Sequence, residues 1–459
     1  MLDLLSLPGL GRFLRWRHAR TALGLSLFLA AALLVVDGLS GPQLAPKNLA
    51  TVLVWVHYRG FLVLALLLAG NLFCMACPFM LPRNLARRFL RPRRAWPRRL
   101  RHKWTALALF ALLLFAYELF DLWATPYWTA WLMLAYFGGA LLIDGLFQGA
   151  TFCKYLCPLG QFNFVASLCS PLEIKVRESA VCASCETKDC IKGRSELRGC
   201  ELALFQPRKV GNLDCTFCLD CLHACPHDNV GLLTRLPAGE LLADPWRSGV
   251  GRLSRRPDLA ALVVLFTFGA LLNAFGMVRP VYQVETWLGD RLGTHSEAVV
   301  LGLIFGLGWV VLPAALLAPT AWIARRWAGL QSGLAPFITR YVYAMAPLGL
   351  GIWVAHYAFH FLSGFWTFAP VIQEVTGWGA PRWDMGPLLP ADWLLSLQQA
   401  ILSAGWLVSL LALNRLAATS APERARRAFI PWAVLTGLLW LAANWLMAQP
   451  MEMRGTVLG

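Results

Sequence analysis

The sequence predicts an α-helical polytopic membrane protein of about nine transmembrane helices, interrupted by one polar, cysteine-rich segment. Three observations carry this. Of 459 residues, 58% are hydrophobic and the mean hydropathy is +0.56, which is too apolar for a soluble domain of that length. Apolar runs long enough to cross the hydrocarbon core recur along the chain. The positive charge is concentrated in alternate loops.

The apolar runs fall at roughly 21–39, 49–70, 104–120, 127–148, 259–277, 298–320, 339–362, 393–413 and 428–447. With an inner N-terminus, the inner segments are 1–20, 71–103, 149–258, 321–340 and 414–428, and they hold 35 of the 41 Lys and Arg. The outer segments hold Lys47, Arg279, Arg291, Arg382 and Arg454, while Arg59 lies within a span. This asymmetry obeys the positive-inside rule. It places the N-terminus and the cysteine-rich segment in the cytoplasm and the C-terminus in the periplasm, in a bacterial inner membrane. The net charge of +16 is then a topology signal, and nucleic acid is not expected as a partner. The first span lacks a small-residue cleavage motif and reads as a signal anchor. The cationic stretch 83–101 suits lipid headgroups, with docking of an acidic electron carrier as the sharper alternative. Three consecutive segments result: a four-helix membrane domain (1–148), a cytoplasmic segment (149–258) and a five-helix membrane domain (259–459).

Within the cytoplasmic segment, "CTFCLDCLHACP" (215–226) is Cys-x2-Cys-x2-Cys-x3-Cys-Pro. This spacing wraps the backbone round a cubane, sends three thiolates to one [4Fe–4S] cluster and directs the fourth to another. Upstream, Cys182, Cys185, Cys190 and Cys200 form a looser run of the same kind. The two-cluster rule assigns Cys182, Cys185, Cys190 and Cys225 to cluster I, and Cys200, Cys215, Cys218 and Cys221 to cluster II. Zinc sites use separated ligand pairs, and disulfides do not suit the cytoplasm. The fold class is thereby completed by an inserted small α+β ferredoxin-like two-[4Fe–4S] domain, about 172–235.

Two further cysteine pairs stand at inner helix ends, Cys74 and Cys77 before Pro78 and Cys153 and Cys157 before Pro158. With the "CTFCLDCLHACP" run and the four-span lead-in, they give residues 20–240 a resemblance to the NapH/NosR/CcoG-type family of membrane-bound polyferredoxins. That resemblance implies that the eight cytoplasmic cysteines are cluster ligands. It also implies electron transfer linked to the membrane quinone pool or to maturation of a respiratory enzyme. Members typically carry Cys-x3-Cys-Pro at both membrane motifs; here Cys153–Cys157 conforms and Cys74–Cys77 is one residue shorter.

A spacing of three or four places each pair on one helical face, and both pairs lie at the inner surface. The four thiols could hold a third cluster, bind copper, or cycle as redox dithiols, since soft thiolates suit each; the plain alternative is packing at a helix end. Inside the spans, "WVHYRGF" carries His57 and Arg59, and "GIWVAHYAFHFLSG" carries His356 and His360 at i, i+4. Intramembrane ionisable groups default to functional hypotheses. The three histidines could hold haem b, take protons from quinol, or bond neighbouring helices. Asp37, Glu118, Asp121 and Asp144 lie near helix ends as well.

Together these readings predict a membrane iron–sulfur electron-transfer protein. It would relay electrons between the quinone pool or a periplasmic partner and a cytoplasmic redox partner. The alternative is an assembly factor that reduces or relays copper for a respiratory enzyme. No substrate-reducing motif is visible, so partner proteins are expected.

Overall fold

The computed structural model describes residues 2–451. The C-terminal stretch from 452, with Arg454 of the charge count, lies outside the described residues. Among those described, eight helices are long and apolar enough to cross a membrane: Ala19–Ser40, Leu49–Leu68, Pro126–Leu146, Pro257–Phe275, Glu297–Ala328, Leu334–Ser363, Ala391–Ser420 and Pro422–Met447. The chain is a polytopic helical membrane protein. The expected span at 104–120 is a shorter apolar helix, Trp104–Leu119, 16 residues. At 1.5 Å per residue this reaches about 24 Å, short of the ~30 Å hydrocarbon core. It ends where the chain turns through Asp121 in a left-handed conformation (φ 43°).

Contacts group the chain into two units. The first comprises 1–33, 64–110 and 132–258, and the second 34–63, 111–131 and 259–459. In the first, β1 (Leu172–Val176) pairs antiparallel with β2 (Val230–Thr234), from Leu172 opposite Thr234 to Val176 opposite Val230. The sequence expects a ferredoxin-like α+β domain here; the strands among the described residues are this one pair, joined by the short helices Ser179–Ala183, Asp189–Lys192 and Asp220–Ala224. The pair closes the chain into a loop that begins before Cys182 and ends after Cys225. Asp3 bridges to Leu233 on the β2 edge, and its carboxylate accepts from Arg177 Nε at 2.8 Å. The N-terminal segment thus covers an edge that would otherwise be open.

In the second unit, Ala346–Ser363 packs along Ala391–Ser420, which packs along Ala425–Met447. Without a hydrophobic driving force in lipid, close backbone approach at small residues holds such helices together. Gly405 shows this: a Cβ there would stand 2.7 Å from the Pro347 carbonyl oxygen and 3.2 Å from Gly351 Cα. Gly405→Leu is expected to lose about 1–3 kcal/mol through overpacking. A thermal melt in detergent checks this against Gly302→Ala, where a Cβ meets nothing within 4 Å and no loss is expected.

Candidate functional site

The structure gathers the cytoplasmic cysteines by short loops rather than by regular elements. Cys182 ends a turn of helix after β1, Cys190 lies in Asp189–Lys192, and Cys225 closes Asp220–Ala224. Cys182, Cys185, Cys190 and Cys225 line one cavity, shared with Phe205, Pro207 and Asn229. Burial raises the Cys190 thiol above its usual pKa, and the neighbouring Cys225, Cys182 and Cys185 add to the shift.

Cys215, Cys218 and Cys221 share the next loop. Asp214, Phe217 and Leu219 there take left-handed conformations (φ 61°, 56° and 62°). Such residues cost of order 1–3 kcal/mol each and cluster where a site requires them. The turns bring the three thiols to Cys200: burial, then Cys200, Cys218 and Cys215, push the Cys221 thiol well above the usual range. The backbone N–H of Cys200 donates to the Cys190 carbonyl at 3.0 Å, which ties the two cysteine sets together.

The four helix-end thiols are also neighbours. Burial pushes Cys74 up to about 11 and, with the Cys74 thiol close by, Cys77 up to about 12. Burial also holds Cys157 well above the usual range, with Cys74 and Cys77 adding to it. The expected arrangement of each pair on one helical face is corrected. Gly70 (φ 128°) breaks the chain after the Leu49–Leu68 span. Cys74 then sits in the separate turn Leu72–Met75, with Cys77 beyond its end. Cys153 sits in Thr151–Tyr155, while Cys157 caps the next helix, its Sγ accepting from Gly160 N–H at 3.2 Å. Pro158 at the first position of that helix enforces the break, since its ring suits a helix start and not an interior.

Cys74 and Cys153 line a second cavity together with Cys218, Met80, Arg20, Glu201 and Asp220. Met80 Sδ stands 3.6 Å from Cys153 Sγ. Arg20 pairs with Asp220 at 3.1 Å. Behind this wall lies a buried ion network. Arg83, fully buried, reaches Asp144 and Glu201, each at 3.0 Å, and Arg87 reaches Glu201 at 2.7 Å. Burial alone would raise the Glu201 carboxyl; Arg83, Arg87, Arg198 and Arg20 reverse this and hold it down to about 2. Asp144 also accepts from Phe152 N–H at 2.8 Å, so it anchors the turn that carries Cys153.

In the second unit, the three sequence-selected histidines divide. His57 lies in the π-helical stretch Val52–Tyr58, and both its ring nitrogens face backbone carbonyls, Val52 at 3.0 Å and Phe365 at 2.8 Å. Neither nitrogen is left for a ligand. His356 and His360 are 2% and 9% exposed, their rings 5.0 Å apart, and the Nε2 atom of each is buried with no hydrogen-bond partner. Arg59 donates to Trp55 O and Tyr117 Oη and lies 4.6 Å over the Tyr357 ring. Asp37 is used structurally, accepting from Leu49 N–H at 2.6 Å. Glu118 accepts from Asn273 at 3.3 Å.

Among the described residues, no three or more His, Cys, Asp or Glu are spaced to hold a single metal ion. Sequence reasoning missed Arg20, Met80, Glu201 and Asn229, which belong to no motif; their only signal is adjacency to the cysteines.

Fold and site define a polytopic helical membrane protein whose cysteines converge in sets in one of its two units. Over 86 residues the chain is 34% identical to an Escherichia coli (strain K12) protein named "Putative electron transport protein YccM", a match covering 19% of this chain and 22% of that one. The match therefore spans under a quarter of that relative's length. No family model matches the chain, and no solved structure matches it.

Proposed function

We propose that the chain is a membrane-bound iron–sulfur electron-transfer protein with two [4Fe–4S] clusters, cluster I on Cys182, Cys185, Cys190 and Cys225 and cluster II on Cys200, Cys215, Cys218 and Cys221. The observation that carries this is the cavity ringed by the first four, three from the loose run and one from the end of the strict motif. Four thiols round one space match the ligand count of a [4Fe–4S] cubane. The similarity to a protein named for electron transport supports the same reading. When bound, the clusters would supply one-electron transfer at potentials set by their ligands and surroundings. The chain supplies the thiolates, their burial and the hydrogen bonds round them.

The cysteine-rich segment would face the bacterial cytoplasm and meet a soluble redox partner, as the charge asymmetry favours. On the other side, electrons would come from or go to quinol or a periplasmic protein. His356 and His360, with unpartnered buried Nε2 atoms, are the residues proposed to take or give the quinol proton; haem b on His57 has less support, because both its nitrogens are engaged. For the helix-end thiols three readings stand: a third cluster, a copper site or redox dithiols. The copper-relay alternative is favoured by one observation, Met80 Sδ beside Cys153 Sγ, because thioether and thiolate together suit Cu(I).

Anaerobic purification with iron, sulfide and copper counts tests both. About eight irons per chain fits two clusters and about twelve fits three. Copper that binds beside about eight irons and is lost in Cys153→Ser favours the relay. A chain purified under these conditions without iron overturns the proposal.

A further inference from the structure

Asn229 stands between Cys225 and β2 and is 5% exposed. Every polar group of this residue is engaged. Its Oδ1 accepts from Glu178 N–H at 3.0 Å, and its Nδ2 donates to Glu178 O at 2.7 Å and to Cys182 Sγ at 3.3 Å. Its own N–H donates to Cys225 Sγ at 3.4 Å, and its carbonyl accepts from Arg177 N–H at 2.9 Å. One residue thus donates hydrogen bonds to two sulfurs of set I that come from opposite ends of the cysteine-rich segment. The carbonyl and the bonds to Glu178 fix it in that position, because they tie the start of β2 to the turn leaving β1.

We propose that Asn229 sets the reduction potential of the group held by Cys182, Cys185, Cys190 and Cys225, by donating two N–H groups to its sulfurs. The inference rests on the iron–sulfur reading above. Adding an electron to a thiolate-ligated cluster puts negative charge on the sulfurs. N–H donors aimed at them stabilise the reduced form more than the oxidised one and so raise the potential. Asn is suited to this: its amide carries no charge to titrate, and it offers a donor to sulfur and an acceptor to the backbone at once. Asn229 is a positioning residue and not a ligand.

Two substitutions separate tuning from scaffolding. Asn229→Leu removes the side-chain donor without adding charge. Asn229→Asp keeps the size and the acceptor for Glu178 N–H but offers Cys182 no donor. Iron and sulfide should stay at the wild-type count in both variants. In an EPR-monitored redox titration, the signal that Cys185→Ser abolishes identifies set I. At the potential that half-reduces wild type, its reduced-to-oxidised ratio should fall about tenfold in Asn229→Leu, a shift of ~59 mV for one electron. The fall should be larger in Asn229→Asp, and the set II signal should not move. An unchanged set I potential in Asn229→Leu overturns the inference, as does an equal shift of both signals. Loss of iron from both variants would also overturn it, by reducing Asn229 to a structural role. Wild-type protein without iron would instead overturn the reading on which it rests.

Discussion

Cys225→Ser is expected to remove about half of the iron, from about eight atoms to about four, and to abolish one EPR signal while leaving the other. Cys221→Ser should remove the other signal instead. The two cysteines are four apart in one motif, so a cluster held by that motif alone predicts that both substitutions abolish the same signal. The expectation of different signals follows from where the thiols lie. Cys225 lines the cavity with Cys182, Cys185 and Cys190, while Cys221 is grouped with Cys200, Cys218 and Cys215. The turn at Cys225, where the chain leaves Asp220–Ala224 in an extended conformation, separates the two directions. Serine is close in size to cysteine but binds iron poorly, so the fold should persist. Iron analysis and EPR on the two variants check this, and identical spectra from both would sink the crossed assignment.

Arg83→Ala is expected to destabilise the first unit by about 3–5 kcal/mol, because it leaves the buried Asp144 without its cation and takes one of two bonded cations from Glu201. Asp144 and Glu201 both lie 3.0 Å from Arg83, and the guanidinium also donates to Gly149 O at 3.1 Å. Arg83→Lys should recover only part of the loss, since one ammonium cannot replace a planar fork with several partners. The acid limb of stability should move too. A carboxyl held down to about 2, against a usual 4.5, contributes stability that is complete above 4.5 and lost as the pH falls toward 2. That contribution is on the order of 3 kcal/mol. Arg83→Ala removes one of the two cations bonded to Glu201, raises the Glu201 pKa and should start acid unfolding at a higher pH. Thermal melts in detergent between pH 3 and 7 would check both effects; an unchanged melting temperature at pH 7 would mean that the network carries no stability.

Local pattern made much of this legible in advance. Apolar run length located eight spans, because a membrane helix must satisfy its own backbone over a set thickness and this leaves a strong one-dimensional signal. Helical spacing misread the two membrane cysteine pairs, because it assumes a continuous helix and the breaks at Gly70 and before Pro158 remove it.

From the sequence alone came a multi-span helical chain with an asymmetric charge distribution and cysteines in a spacing suited to iron–sulfur clusters. All of these depend on residues close together in the chain. The spacing rule had also divided the eight thiols into two sets; only the tertiary structure decided that Arg83, Asp144 and Glu201 form one buried network, and that Asn229 reaches sulfurs at both ends of the segment. Each depends on groups tens of residues apart or more, and their meeting is set by how the loops close: by left-handed turns, a two-stranded clasp and buried charge that must find its partner.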